Sequence, residues 1–338
     1  MIDANKLALI DAHPAANWQD WQPMPLAAET EVYRLMAMDL HTLALHQFKQ
    51  REPLLAPWLC TQDLAMIFAG RGIGKTHFAL SVAYAVATGG TFSKWSAPKP
   101  AKVLYLDGEL AGSVLQKRAA MHMPDVEPAL GYFRVFTPDL IPDGVCMPDL
   151  STTDGQAVIN RMIEDDTALV IVDNLSAWCR SGKENDAESW HPIATWMLQL
   201  RRRGIAVLLI HHAGKGGTQR GTSKREDLLD VVISLSRPKD YEPKQGAVFV
   251  MEFTKGRNLK GDEQDSLEFE LGGTDERAVW KCSTVEASTF DRVVALANEG
   301  LSQTEIATEL DLNKSNVSRH MRAAKDLGLV TTAPKVFK

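Results

Sequence analysis

Residues 65–90, AMIFAGRGIGKTHFALSVAYAVATGG, constrain the fold more than any other stretch of this sequence. Residues 64–68 are short and apolar enough for a buried strand, and residues 76–88 place small and apolar side chains at helical spacing before a Gly-Gly pair. Between the two lies a turn with glycine at alternate positions, followed by Lys-Thr. The sequence therefore predicts a strand, a tight glycine-rich turn and a helix in immediate succession.

The residue types in this turn suit a phosphate group, and the pattern is that of a phosphate loop with Ala69 in place of the first glycine. Its glycines let successive backbone N–H groups turn inward, and the following helix adds its positive N-terminal end. Lys75 can reach the terminal phosphates, and the Thr76 hydroxyl can ligate Mg²⁺. The alternative is a glycine-rich turn without a ligand. We expect ATP, rather than GTP, and Mg²⁺ to be held by eight residues: Gly70, Arg71, Gly72, Ile73, Gly74, Lys75, Thr76 and His77.

The chain of 338 residues is long enough for about two domains. Its composition, with 45% hydrophobic and 24% charged residues, indicates a globular protein. Its four cysteines are far apart and no signal peptide or membrane-length apolar run is visible, which favours a cytoplasmic location. The net charge of −6 gives no general attraction to nucleic acid, but positive charge is clustered at 201–203, 215–225 and 314–325. Any contact with nucleic acid must therefore be local.

Three regions follow one another along the chain. Residues 1–54, with a helical pattern at 31–50, are expected to form an arm for packing or subunit contact. Residues 55–286 alternate apolar strands with amphipathic stretches, which predicts an α/β domain with a mainly parallel sheet. Residues 287–338 carry three short helices. The predicted strands are 103–106, 132–136, 169–172, 207–210, 231–235 and 248–253, with a closing hairpin of 267–271 and 278–281.

Polar side chains follow three of the predicted strands. Asp173 ends ALVIVD, where a carboxylate beside the phosphate loop can hold Mg²⁺ directly or through water. Glu109 in LDGE is expected to be the catalytic base that orients or deprotonates water, the alternative being a solvated turn residue. His212, with His211 as the weaker candidate, is expected to sense the terminal phosphate, the alternative being metal ligation by the pair.

The order of these motifs carries a resemblance. The phosphate loop, LDGE, VIVDNL, IHHAGKG with RGTS, and VVISLSRP resemble the RecA-like P-loop ATPases of the hexameric replicative helicase group, above all plasmid RepA-type helicases, over about residues 55–285. In EFTKGRN, Lys255 and Arg257 are similar to a Lys-x-Arg pair of DnaB-type helicases and RadA-type recombinases. The resemblance implies that they reach the neighbouring subunit's ATP in a ring, most naturally a homohexamer. A basic hairpin turn is the alternative.

The same resemblance implies that loops 176–186 and 213–227 hold single-stranded DNA. The second loop is rich in glycine and carries four cations suited to a phosphate backbone: Lys215, Arg220, Lys224 and Arg225. A solvated loop without this role is the alternative.

The C-terminal segment LSQTEIATELDLNKSNVSRHMRAAKDLGLV resembles a winged helix-turn-helix. Ser302 and Glu305 have the spacing of a capping box, and a buried face is predicted to include Val317, Met321 and Leu327. GLV is expected to start the wing. The second helix is expected to contact duplex DNA through its outward residues, which are Lys314, Ser315, Asn316, Ser318, Arg319 and Arg322. An oligomerisation or partner module is the alternative.

These observations together predict a ring-forming, DNA-dependent ATPase, and most naturally a replicative DNA helicase of a plasmid, phage or other mobile element. An ATP-gated DNA-binding regulator or replication loader is the second interpretation. A small-molecule kinase is disfavoured because no acceptor pocket or lid is evident and the basic loop would have no purpose.

Overall fold

The structure is a computed structural model that describes residues 37–123, 126–181, 187–213, 224–238, 241–274 and 276–330. The chain divides into two compact units, Met1–Phe48 and Lys49–Lys338. The described part of the first unit holds helix α1, Leu40–Leu45, whose N-terminus is capped by the Asp39 carboxylate. The predicted helix 31–50 is therefore wrong for residues 37–39 and 46–50, which are not helical. Its first residues lie outside the described ranges.

The second unit is built on one large sheet. The described residues of this unit contain thirteen strands: β1 Pro53–Leu55, β2 Leu59–Cys60, β3 Leu64–Ala69, β4 Thr91–Phe92, β5 Trp95–Ser96, β6 Lys102–Asp107, β7 Phe133–Phe136, β8 Thr167–Asp173, β9 Ala206–His212, β10 Val231–Ser236, β11 Val248–Gly256, β12 Leu267–Gly273 and β13 Ala278–Thr284. Nine of them form the large sheet, in the order β13-β12-β11-β10-β3-β9-β8-β6-β7, and β1 with β2 and β4 with β5 form two small sheets. The six strands from β10 to β7 are parallel, and β11, β12 and β13 continue the sheet as antiparallel strands.

Helices follow the parallel strands, as the sequence predicts for an α/β domain. They are α2 Lys75–Thr88, α3 Gly112–Met121, α4 Thr153–Met162, α5 Leu175–Trp178, α6 Ala187–Arg203, α7 Lys224–Asp227, α8 Val285–Asn298, α9 Gln303–Glu309 and α10 Lys314–Asp326. Short 3-10 helices cover Pro138–Leu140, Pro243–Gln245 and Gly261–Gln264. Within the described ranges, no helix has the length and apolar character to cross a bilayer.

Both faces of the sheet are covered, which explains why its central strands read as continuous apolar runs. Alternate residues of β3 belong to two separate hydrophobic clusters: Ile67 is in the cluster that contains Phe78 of α2, whereas Met66 is in the cluster that contains Trp196 of α6. All six β3 residues are buried. Functional groups can therefore reach solvent only at the ends of the strands. The predicted fold class, α/β with a mainly parallel sheet and a helical C-terminal region, is confirmed.

The C-terminal helices form a small cluster of their own. Helix α8 is attached to the sheet because Ser288 and Arg292 both donate to the Glu268 carboxylate of β12, each at 2.6 Å. Ser302 and Glu305 form the predicted capping box. Leu327 is 67% exposed, so its predicted burial is wrong. It follows the last residue of α10, and Val330 packs into the cluster instead.

The predicted wing has no strand at residues 328–330, and the residues after 330 lie outside the described ranges.

Candidate nucleotide site

A cleft of about 360 Å³ opens where β3, β6, β8 and β9 end side by side. Because these strands are parallel, their carboxyl ends meet at one edge of the sheet, which is where ligands bind in such folds. The structure thus brings together side chains that are far apart in sequence. The cleft is lined by Arg71, Gly72, Gly74, Lys75, Thr76, His77, Glu109, Leu110, Arg118, Asp173, Asn174, His212 and Ala247.

The phosphate loop has the backbone conformation that its glycines permit. Gly72 has φ +70° and Gly74 has φ +125°. A Cβ atom at Gly74 would lie 3.1 Å from Phe249 and 3.2 Å from Ala247, so both conformation and space require glycine there. Within this loop Lys75 donates to the carbonyl oxygens of Ala69 at 3.0 Å and Gly70 at 2.7 Å. The lysine is thereby fixed at the floor of the loop.

Burial lowers the pKa of Lys75 to about 8, although the nearby Asp173 and Glu109 carboxylates act in the opposite direction. A desolvated ammonium group gains more from a bound anion than an exposed one does, because the surrounding medium screens the charges less. The loop therefore favours a polyanionic ligand.

Arg237, the arginine of VVISLSRP, contacts the same loop, a role that the sequence analysis does not assign to it. Its guanidinium group donates to the Gly72 carbonyl oxygen at 2.7 Å and to the carbonyl oxygens of Gly246 and Val248 at 2.8 Å each. It also lies 3.8 Å from the centre of the Tyr241 ring. Arg237 therefore fixes the loop to the strand that follows β10. The contact joins residues 165 positions apart, so no local sequence pattern predicts it.

Two buried carboxylates end neighbouring strands at this site, and one of them, Asp173, lines the cleft. Asp173 accepts a hydrogen bond from the Tyr105 hydroxyl at 2.7 Å, and burial raises its pKa, while hydrogen bonds from Tyr105 and Thr76 act in the opposite direction. Burial also raises the pKa of Asp107 to about 7, and its carboxylate accepts from the backbone N–H of Leu110 at 3.0 Å. Asp107 thereby shapes the turn that carries Glu109.

Glu109 is held between two side chains of neighbouring strand ends. Asn174 donates to its Oε2 atom through Nδ2, and His212 Nε2 lies 3.7 Å from the same oxygen. Burial lowers the pKa of His212. Gly108 permits this arrangement, because a Cβ atom there would lie 2.8 Å from the Cβ of Ala177. The predicted base and the predicted sensor are thus neighbours, and Asn174 is a contact that the sequence did not predict.

His77 lies one residue beyond Thr76 and lines the same cleft. Its Nδ1 atom is 3.0 Å from Nε2 of His122, which follows α3 and is buried. The pairing joins residues 45 positions apart, so a motif around either histidine does not reveal it.

Lys255 and Arg257 are not in the cleft. Gly256 pairs with Val231 at the start of β10, and Val231 pairs with Ala65 at the start of β3. Both cations therefore lie at the amino ends of the parallel strands, whereas the phosphate loop lies at their carboxyl ends. Lys255 donates to the carbonyl oxygen of Glu226, and Arg257 donates to that of Asp227 at 2.7 Å. Within one chain, these two side chains contact the C-terminal end of α7 and not the nucleotide site.

The predicted DNA-contacting residues are placed only in part. Lys215 and Arg220 lie outside the described ranges, and for Lys224 and Arg225 only the backbone, in α7, is described. His211, the weaker sensor candidate, is buried. The predicted loop 176–186 is wrong at its start, because Ser176 to Trp178 belong to α5.

On α10, four of the six predicted contact residues are exposed and two are half-buried. The exposed ones are Lys314, Ser315, Arg319 and Arg322, whereas Asn316 and Ser318 are partly covered. Arg319 forms an ion pair of 3.1 Å with Glu286 of α8. The helix therefore presents a basic and polar surface of the kind that a DNA groove accepts.

Two family models match the sequence. One, described as an AAA domain, matches residues 29–218, which is more than half of the chain and includes every strand end that forms the cleft. The other, described as a bacterial regulatory protein of the arsR family, matches residues 293–332, which include α9 and α10. No curated protein matches the chain.

Proposed function

The chain belongs to the AAA domain family, and on this premise we propose that it is a ring-forming, DNA-dependent ATPase that acts as a replicative DNA helicase of a plasmid, phage or other mobile element. The observation that carries the proposal is the cleft. It holds a phosphate loop, a buried acidic group and an exposed carboxylate at the ends of adjacent parallel strands. These are the parts that positioning and charge stabilisation require in phosphoryl transfer.

The residues at the cleft fit a magnesium ion, because Asp173 and Thr76 offer the oxygen ligands that Mg²⁺ prefers and are hydrogen-bonded to each other. When bound, Mg²⁺ would offset the negative charge of the β- and γ-phosphates. Lys75 would bind the same phosphates from the floor of the loop, where its two carbonyl contacts hold the ammonium group in place. Both charges favour release of the phosphoryl group to water.

Glu109 is the proposed general base for that water. Its side chain is 60% exposed and faces the cleft, so one carboxylate oxygen can accept the proton as the water oxygen attacks the γ-phosphorus and ADP leaves. Asn174 orients the carboxylate, and His212 lies on its other side. His212 would then report the presence or loss of the terminal phosphate to the segment after β9.

The positions of Lys255 and Arg257 support a shared site. Since they lie at the far edge of the sheet, they can meet a nucleotide only in another copy of the chain. In a closed ring, which we propose to be a homohexamer, each subunit would supply Lys255 and Arg257 to its neighbour's nucleotide. These cations would stabilise the negative charge on the transferred phosphoryl group. Single-stranded DNA would be bound by Lys215, Arg220, Lys224 and Arg225, and duplex DNA by α10.

The arsR-family match and the basic surface of α10 favour a second candidate, an ATP-gated DNA-binding regulator or replication loader. In that case hydrolysis would switch DNA affinity without strand separation. Unwinding of a forked DNA substrate and binding to a library of duplex sequences distinguish the helicase from the regulator.

We expect the chain to hydrolyse ATP faster with single-stranded DNA and to unwind the fork, whereas the Lys75→Ala control does neither. DNA-independent hydrolysis together with tight binding to one duplex sequence, and no unwinding, would support the regulator instead.

A further inference from the structure

A buried carboxylate lies beside Arg257 at the amino end of the parallel strands. Asp230 directly precedes β10 and is 4% exposed. Its Oδ2 atom accepts from the backbone N–H of Leu64, the first residue of β3, at 3.0 Å, and from the guanidinium group of Arg201 in α6. Its Oδ1 atom lies 3.7 Å from Nη1 of Arg257. One carboxylate thus joins two elements of the core to Arg257.

The backbone of Asp230 connects the same parts of the chain. Its N–H group donates to the Leu64 carbonyl oxygen at 2.7 Å, and its carbonyl oxygen accepts from the N–H group of Arg257 at 3.0 Å. Leu64 belongs to β3, a strand whose six residues are all buried. Through Asp230, Arg257 is therefore held against a rigid element of the core, which is the support that a catalytic group needs.

The contact with Asp230 leaves Arg257 able to bind another anion. A buried carboxylate requires a cationic partner, and Arg201 meets that requirement by direct contact. At 3.7 Å, the contact with Arg257 is longer than a hydrogen bond, so it attracts the guanidinium group without occupying its N–H donors. Within the described ranges, the guanidinium group donates to the Asp227 carbonyl oxygen, and its side chain is 49% exposed. A guanidinium group has five N–H donors, so donors remain for a phosphoryl group.

We propose that Asp230 is the positioning residue of Arg257, and that its carboxylate holds the guanidinium group ready for the transferred phosphoryl group of the neighbouring copy. This inference rests on the proposed shared ATP site. An arginine that is held in advance loses less conformational freedom when charge develops on the phosphoryl group, so it stabilises that charge more effectively. Because Asp230 itself touches no nucleotide, its effect should appear in turnover and not in ATP affinity.

Asp230→Asn removes the charge with little change in shape. The amide has a single acceptor oxygen for the three groups that the carboxylate contacts, which are those of Leu64, Arg201 and Arg257. With single-stranded DNA and Mg²⁺, we expect kcat to fall by about ten- to a hundredfold, the scale of a misplaced catalytic group, while the Kd for ATP stays nearly unchanged. A rise in kcat would mean that Asp230 retains Arg257 away from the nucleotide, and would overturn the inference.

Two controls separate positioning from damage to the fold. Arg201→Gln removes the other cation from the same carboxylate, so it should reduce the free energy of unfolding but leave kcat unchanged. In an Arg257→Ala background, Asp230→Asn should cause no further loss of kcat, because the side chain that it positions is absent. A matching loss of kcat in Arg201→Gln, or an equal further loss in the Arg257→Ala background, would overturn the inference. Should Asp230→Asn not fold, the double variant with Arg201→Gln removes both charges of the buried pair and takes its place.

Mixed assemblies show in which subunit the loss arises. When Lys75→Ala and Arg257→Ala chains are mixed, an active interface takes its arginine from the Lys75→Ala chain. Adding Asp230→Asn to the Lys75→Ala chain should therefore lower the recovered activity, whereas adding it to the Arg257→Ala chain should not. The reverse pattern, or equal losses, would overturn the inference. Failure of the proposed shared site looks different, since the mixture would then recover no activity even without Asp230→Asn.

Discussion

The raised pKa of Asp107 gives a stability prediction with a defined sign. Burial raises this pKa from the ordinary value of 3.8 to about 7, so the folded chain binds a proton at Asp107 more tightly than the unfolded chain does. The stability linked to this group is complete below pH 3.8 and is lost as the pH rises to about 7. At about 1.4 kcal/mol for each pH unit, the loss amounts to at most about 4 kcal/mol.

Asp107→Asn should remove this loss. The amide oxygen can still accept from the N–H groups of Glu109 and Leu110, so the turn keeps its hydrogen bonds. We expect the free energy of unfolding of the variant, relative to the parent, to rise by about 2–4 kcal/mol between pH 4 and pH 8. Urea unfolding followed by tryptophan fluorescence, without nucleotide and with a chelator, measures it.

Asp166→Asn is the matched control, because Asp166 is 66% exposed and its pKa is lowered by the hydrogen bond from Lys102. The free energy of unfolding of Asp166→Asn, relative to the parent, should not rise between pH 4 and pH 8. If parent and Asp107→Asn change in parallel from pH 4 to pH 8, the buried carboxyl has no raised pKa and the reasoning is refuted.

Three other changes test separate parts of the structure. Glu109→Gln should keep ATP binding but reduce turnover by about 10²-fold or more, and normal turnover would make Glu109 a turn residue only. Gly74→Ala should lower ATP affinity in calorimetry more than Gly72→Ala, since a Cβ atom meets Phe249 at position 74 and open space at position 72; equal losses would contradict this. A chain that ends after Gly300 keeps α8 on the sheet. Its ATPase activity should still be stimulated by single-stranded DNA, while its affinity for duplex DNA should fall. Loss of ATPase activity with a folded core would argue against separate roles for the two regions.

Much of the cleft could be predicted because its parts are local in sequence. An apolar run followed by a glycine-rich turn fixes the phosphate loop, and acidic residues that end apolar strands must meet it when those strands are parallel. Asp173 and Glu109 are predicted in this way to lie beside the loop, and both line the cleft. The strands were placed to within a few residues, since burial on both faces leaves a continuous apolar signal.

The remaining contacts depend on tertiary structure. Arg237 bonds to a carbonyl oxygen 165 positions away, and His122 reaches His77 from the end of another helix, so neither has a local pattern. The predicted burial of Leu327 is wrong because the apolar spacing of α10 does not extend past its last residue, where the chain leaves the helix. Helix ends and long-range polar contacts are the features that periodicity does not contain.

The shared ATP site is the central claim, and mixed assemblies test it most directly. Arg257→Ala should bind ATP nearly as well as the parent and hydrolyse it about 10³-fold more slowly, the scale of an arginine-finger loss, whereas Lys281→Ala, which removes an exposed cation on β13, should be unaffected. Lys75→Ala keeps its own Arg257 but has no usable phosphate loop. When the two inactive variants are mixed and assembly is confirmed by native mass, activity should return at interfaces that pair an intact loop with an intact arginine. No recovery in mixed assemblies would contradict a shared site and leave Lys255 and Arg257 with only their contacts within the chain, at the end of α7 and with Asp230.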